Sequence, residues 1–296
     1  MDEAIVGLGK PPYVIPPPPG TDDVYFGGDV GQWAKVAHSL KARYYIHLIK
    51  RDGGYAQKAL DQIPFAIAAN SDEPDCPFQS NQNNSNPYYL FGIGRPGTMV
   101  MAPSFVTMLT NRNDPRKGKI VHTNNTSYFN SGNSNLFWVQ STSAIPLISF
   151  SEVKFIEAEA RLRTGDVAGA ETALAEAIGA NMDKMNVDGT AYLSARGNFT
   201  GLATAQEQLE RIIEEKYVAM YAQAASEVWV DYRRTGFPAI APIPNGEAAG
   251  LNPGGQIPRR FIYPISERQT NEANLTSAKS RQGGDLMNAD LWAFKN

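Results

Sequence analysis

Gly92-Ile93-Gly94-Arg95-Pro96-Gly97 has the spacing of a phosphate-cradling loop. Such a loop holds a dinucleotide only between a strand and a helix, with an acidic residue about twenty positions further on. Here the glycines sit in an irregular polar stretch and Pro96 interrupts the turn, so a nucleotide site is not expected. Ser151-Glu152-Val153-Lys154 has the S-x-x-K spacing of serine acylases, but the S-D-N and K-T-G companions are absent. Lys154 reads instead as the solvent edge of a helix. His38, His47 and His122 have no metal-ligand spacing, and neither H-E-x-x-H nor G-x-S-x-G occurs. A glycosidase holds two carboxyl groups roughly 5–10 Å apart across the scissile bond. Glu157 and Glu159 point to different sides of a helix, and Asp22-Asp23 lies in a turn. No catalytic residue, metal site or cofactor is therefore expected.

The chemistry that remains is aromatic rings set among amides. Tyr88, Tyr89 and Phe91 lie in SNQNNSNPYYLFGIGRPG, and Tyr128, Phe129, Phe137 and Trp138 lie in TNNTSYFNSGNSNLFWVQ. A flat ring buries the apolar C–H face of a sugar, while Asn, Gln and Arg satisfy its rim of hydroxyls. Trp138, Tyr89, Tyr88, Phe91, Tyr128, Asn84 and Asn135 are the candidate ligand-binding residues, with Trp138 and Tyr89 foremost because each borders an Asn-rich run. The competing reading is that the rings pack down onto helices and the amides only make turns.

Composition narrows the partners. Apolar residues make up 42% of the chain, enough for a substantial core, and charged residues only 19%, so the surface is polar but weakly charged. A net charge of −3 with no basic stripe argues against nucleic acid. Cys76 is alone, which rules out an intrachain disulfide or a cysteine-based zinc site. No apolar run is long enough to span a bilayer, and residues 1–20 lack the basic start and apolar centre of a signal peptide. On the sequence alone that would mean a cytosolic protein.

The elements that must position the rings are helices. Residues 1–28 read as a Pro-rich extended segment, with Pro11, Pro12 and Pro16 to Pro19 favouring polyproline II. Asp29 caps a helix whose stripe is Trp33, Ala37, Leu40, Tyr44 and Leu48; Asp52-Gly53-Gly54 turns it into a partner over Tyr55–Ile63, stopped at Pro64. Residues 29–70 are thus one helix pair. Residues 71–149 are poor in helical periodicity apart from a helix over Ser104–Thr110, and they read as a loop-rich insertion carrying the ligand surface. Residues 150–238 return to helix pairs. Val153, Ile156 and Ala160 form one stripe, Gly165 and Asp166 the turn, and Ala170, Ala173, Leu174, Ala177 and Ile178 the next stripe. Thr204 and Glu207 have capping-box spacing ahead of Leu209, Ile212, Ile213, Met220 and Ala224. Glu207, Arg211 and Glu215 are spaced as i,i+4 pairs on the wet face. Ser226 is placed to cap a last helix, with Arg233 and Arg234 complementing its final carbonyls and Gly236 and Pro238 ending it. Residues 239–296 read as loop-rich. The fold class is mostly α: a tetratricopeptide-like helix-pair scaffold with long irregular loop insertions and little β.

Five ordered blocks give the chain a resemblance to SusD/RagB-like proteins. These are Tyr25, Gly27, Gly28, Asp29, Trp33, Ala37, Ser39, Leu40 and Arg43, with His38 where Asn is usual; Asn113-Asp114-Pro115-Arg116; Ala158-Glu159-Ala160 with Gly165 and Asp166; Trp229 and Tyr232 to Pro238; and Ile257 to Phe261 with Tyr263, Pro264, Glu267 and Asn271. Gly283-Gly284-Asp285 and Trp292 match the family's usual end. The resemblance implies a non-catalytic surface lipoprotein of the outer membrane. Such proteins capture glycan or oligosaccharide and hand it to a SusC-like TonB-dependent transporter by lid-like closure over the transporter's mouth. RagB-like relatives favour peptide, so a peptide-binding or protein-docking scaffold stands as the alternative. The resemblance also implies that residues 29–296 form one SusD-like domain portion, the C-terminal part of a longer chain whose signal, lipidated cysteine and further helices come first.

Overall fold

The computed structural model describes residues 1–10, 20, 22–122, 135–242 and 245–295. Thirteen α-helices carry these residues: α1 Asp2–Leu8, α2 Val30–His47, α3 Tyr55–Leu60, α4 Pro87–Gly94, α5 Pro103–Asn111, α6 Lys117–Ile120, α7 Phe150–Arg163, α8 Val167–Lys184, α9 Thr190–Arg196, α10 Ala205–Ala219, α11 Ala225–Thr235, α12 Ile265–Thr270 and α13 Glu272–Gln282. Among the described residues, strand pairing is confined to β1 Asp75–Cys76 against antiparallel β2 Ile145–Pro146. The chain is mostly helical with little β, as its periodicity predicts.

Side chains fix the helix ends. Asp29 accepts from the Gly31 and Gln32 amides at 2.8 and 3.1 Å to start α2. Ser149 accepts from the Glu152 amide at 3.1 Å to start α7, and Asp166 accepts from Gly169 at 2.9 Å to start α8. The capping box of α10 is complete: the Glu207 amide donates to Thr204 Oγ1 at 3.2 Å and the Thr204 amide to Glu207 Oε2 at 2.8 Å. Gly236 ends α11 in the left-handed region at φ +83, a conformation a side chain would strain. That helix begins at Ala225 with no side-chain cap, so Ser226 lies within its first turn rather than ahead of it.

Packing runs outward from α7. It lies on α8, whose buried Ala170, Ala173 and Ala177 allow a close approach, and also meets α10, α3 and α2. Phe155, Leu174, Ile178, Ile212 and Ile213 form the main core there, and Ala42, Ile46, Ala56 and Ile156 a second one between α2, α3 and α7. Charge is buried within this frame. Arg43 of α2 grips Glu152 of α7 at 2.7 and 2.8 Å. Arg234 of α11 donates to Glu159 of α7 and to Asp231, which also receives Lys216 of α10 at 2.8 Å. Arg233 stacks between Trp229 and Phe294, 4.0 and 4.6 Å from the ring centroids. Both arginines are thus structural, reaching carboxylates and rings as well as carbonyls.

Several sequence expectations need correction. Residues 2–8 are helical rather than extended; the prolines at 11, 12 and 16–19 lie outside the described residues. Helix α3 stops at Leu60, and a separate short turn covers Ile63–Phe65. The 71–149 stretch contains α4 and α6 as well as α5, and the 239–296 stretch contains α12 and α13. On α10, Arg211 turns to the carbonyls of Arg196 and Asn198, and Glu215 is fully buried rather than on a wet face.

Candidate ligand-binding site

A buried arginine, Arg116, helps hold the 71–149 insertion on the frame, beside the ion pairs Arg112–Glu214 and Lys184–Asp75. Asn113, at φ +51, turns the chain out of α5 and directs Asp114 and Arg116 inward. Arg116 donates to Asp114 at 2.9 and 2.6 Å, to Glu215 of α10 at 3.0 Å and to Asn181 of α8 at 3.1 Å. The Tyr192 hydroxyl and Arg196 also donate to Glu215. Burial opposes the Arg116 charge, but Asp114 and Glu215 outweigh it and raise its pKa, so the cation persists. Burial, then Glu215, pushes the Tyr192 phenol up, which keeps it a neutral donor. Above this anchor, Phe105, Leu109, Ile120, Leu136, Trp138 and Val139 pack against Met185 and Val218 of the frame.

Two open spaces flank α4. The helix is set by Asn86, whose side chain accepts from the Tyr88 amide at 2.8 Å and donates to the Ser143 carbonyl at 2.6 Å, with Pro87 at the first helical position. The first space is an aromatic cleft of about 560 Å³. Tyr88, Met99, Met101 and Phe105 of the insertion line it together with Tyr217 of α10, Tyr221 in the turn after it, and Trp229 and Tyr232 of α11. Phe105 stacks on Tyr221 at 5.4 Å and 16° and meets Tyr217 edge-on. The Tyr221 hydroxyl donates to Met101 Sδ at 3.3 Å. The second space is a polar hollow of about 730 Å³ lined by Ser80, Gln82, Asn83, Ser85, Tyr89 and Ile93. It has the ring and the amides that a hydroxyl-rich ligand requires.

The predicted residues divide between these places. Tyr88 lines the cleft and Tyr89 the hollow. Phe91 is 40% exposed on the same helix, with Arg95 over its ring at 5.5 Å. Asn84 is exposed beside the hollow, where its amide nitrogens reach Asn81 and Gln79. Trp138 is a core residue: only 2% of it is exposed, Phe137 abuts it edge-on at 4.8 Å, and Lys184 lies over its face at 5.8 Å. An indole buries more apolar area than most side chains, and the insertion spends it on docking to the frame. Asn135 is exposed three residues before it, and Tyr128 lies outside the described residues.

The cleft residues Tyr217, Tyr221, Trp229 and Tyr232 were not among the predicted ligand residues. Tyr217 and Tyr221 form an i,i+4 aromatic pair off the α10 core stripe, a spacing that marks a second apolar face. The remaining chemical motifs have structural roles. Gly92 and Gly94 lie in the last turn of α4 rather than in a strand-to-helix turn. Ser151 donates to the Ala177 carbonyl at 2.8 Å, and Lys154 pairs with Glu157 and Glu176 at 2.9 and 2.7 Å. Glu157 is taken up by Lys154 and Arg161, and Glu159 by Arg234 and Arg163. Among the described residues no group of three or more His, Cys, Asp or Glu is placed to hold a metal, and no helix is long and apolar enough to cross a membrane.

The fold and its two spaces define a helical scaffold with an open, pocketed insertion. The chain belongs to the SusD-like family: the family model described as "Starch-binding associating with outer membrane" matches residues 15–264. A SusD homolog from Bacteroides ovatus superimposes with a TM-score of 0.80 at 21% identity, covering 100% of this chain and 72% of that one. A chitin-binding SusD homolog from Flavobacterium johnsoniae gives 0.79 at 20%, covering 100% and 70%. A SusD homolog from Bacteroides vulgatus gives 0.78 at 19%, covering 100% and 69%. At these identities the likeness shows the fold alone. No curated protein matches the chain.

Proposed function

We propose that this chain captures oligosaccharide without cleaving it and delivers it to a SusC-like TonB-dependent transporter at the cell surface. The observation that carries the reading is the polar hollow beside α4, where Tyr89 supplies a flat ring and Gln82, Asn83 and Ser80 supply hydrogen-bonding groups. A sugar laid on Tyr89 buries its C–H face and directs hydroxyls at the amides. Phe91, exposed on α4, and Asn84, exposed beside the hollow, extend the proposed surface. The helix pairs act as a tetratricopeptide-like frame that holds this insertion still, and residues 29–296 work as one domain portion. Membership of a family described as starch-binding and outer-membrane-associated supports both the ligand class and the location. The chitin-binding relative supports N-acetylglucosamine oligomers as a second ligand to try.

The transporter half of the reading draws on exposed apolar side chains of the C-terminal segment. Phe261 is 78% exposed and Trp292 68%, with Ile265 between them in sequence. The exposure of these side chains is the observation that favours the scaffold alternative, and it is compatible with capture. Calorimetric titration with starch and chitin oligomers tests the reading. Saturable binding that weakens in Tyr89→Ala supports it; uniform absence of binding rejects it.

A further inference from the structure

The cleft on the Tyr88 side of α4 has a chemistry of its own. Among the described residues, its lining includes no charged residue and no side-chain amide. Apart from methionine sulfurs, the polar side-chain atoms of these described lining residues are tyrosine hydroxyls and the Trp229 indole N–H. The indole already donates to the Pro258 carbonyl at 2.6 Å, and the Tyr221 hydroxyl to Met101. Burial pushes the Tyr217 and Tyr221 phenols up, so neither supplies a charge. A sugar seated here would find only tyrosine hydroxyls and no side-chain amide among the described lining residues, and an ion would find no counter-charge there. A volume of about 560 Å³ is ample for an aryl ring or a short acyl chain. Thioethers of Met99 and Met101 adapt to irregular apolar shapes, and the exposed Val100 and Ala225 leave the space open. The cleft and the hollow share α4, through the consecutive Tyr88 and Tyr89.

We propose that the aromatic cleft receives a neutral aryl or acyl substituent, so that the captured ligand is a glycan carrying such a group; this rests on the capture reading above. The sugar lies on the Tyr89 side and its substituent crosses α4 into the rings of Phe105, Tyr221 and Trp229.

Two titrations on the full chain separate this claim from the reading it rests on. The first uses N-phenyl-1-naphthylamine, a neutral aryl probe whose fluorescence rises in an apolar site. It should bind saturably, and Ala225→Trp and Val100→Arg, both at exposed lining positions, should each weaken it at least tenfold while circular dichroism stays unchanged. Tyr89→Ala should leave it unaffected. The second compares 4-nitrophenyl with methyl glycosides of maltotriose and chitobiose. The aryl glycoside should bind at least fivefold tighter, and Ala225→Trp should abolish that advantage. Absence of saturable probe binding, or equal binding to wild type and Ala225→Trp, overturns the cleft assignment whatever the glycans do. Equal affinity of aryl and methyl glycosides overturns the substituent claim alone. Probe binding with no glycoside binding upholds a neutral aryl site and rejects the capture reading.

Discussion

Tyr88 and Tyr89 are neighbours in sequence on α4, yet they line different spaces, Tyr88 the aromatic cleft and Tyr89 the amide-rich hollow. Consecutive helical residues are about 100° apart around the axis, which lets one short helix divide two environments. Their alanine variants should therefore separate. Tyr89→Ala is expected to weaken unsubstituted oligosaccharide by about 1 kcal/mol, roughly fivefold, the scale of one aromatic contact. Tyr88→Ala should change that affinity less than twofold. Calorimetry on both variants with one oligosaccharide checks the division, and equal losses would remove it.

Arg116 joins the insertion to the frame, and its removal should be felt as stability. Arg116→Met leaves Asp114 buried without its cation and Glu215 with only part of its cationic shell. Breaking a buried pair from one side costs about 3–5 kcal/mol. Urea unfolding should show a loss of that order. Adding Asp114→Asn to Arg116→Met should restore part of it, because the stranded carboxylate goes with the cation. A loss below about 1 kcal/mol would contradict an anchoring role for Arg116.

Acid should loosen the frame through Asp231. Burial disfavours its charge, but Lys216 and Arg234 more than offset this and hold its pKa at about 2. A carboxylate lowered on folding contributes stability above its unfolded value, near 3.8, that is lost as pH falls through the folded value. The difference corresponds to about 2 kcal/mol. Glu159, held low by Arg234 and Arg163 against its burial, acts in the same direction. Denaturant midpoints should therefore fall between pH 5 and pH 2, with a shallower slope in Asp231→Asn. A wild-type stability that stayed level across that window would contradict the pairing.

Trp138→Ala offers a contrast with the tyrosines. As a buried ring in the insertion's core, it should cost about 3–5 kcal/mol on truncation. Trp138→Phe, which keeps most of the packing, should leave oligosaccharide affinity within twofold. A selective loss of binding in Trp138→Phe with stability intact would show that the indole meets ligand.

How much of this was legible in the sequence depended on whether a signal was local. The ends of α2, α8 and α10 were readable because Asp29, Asp166 and the Thr204–Glu207 box act on amides two or three residues away. Helix α13 was missed because Leu275 is its one buried residue, leaving no stripe to read, although Gly283 in the left-handed conformation marks its end. Helix α4 was missed for a different reason: its short run between Pro87 and Gly94 looks like loop until Asn86 is seen to cap it. Glu215 looked solvated because i,i+4 spacing says nothing about Arg116, 99 residues away. At the site, Tyr88 and Tyr89 carried an aromatic-among-amides signal that the structure places beside open space. Trp138 carried the same signal and lies in the core, since local composition does not distinguish a ring facing a frame from one facing solvent.

The central claim is that the insertion binds sugar and that the frame around it does no chemistry. The most direct measurement is a calorimetric titration of the full chain with starch and chitin oligomers, followed by chromatography of the recovered ligand. The account predicts saturable binding, weakened in Tyr89→Ala, with every oligomer recovered at its starting length. No binding to any oligomer, or the appearance of shortened products, would contradict it.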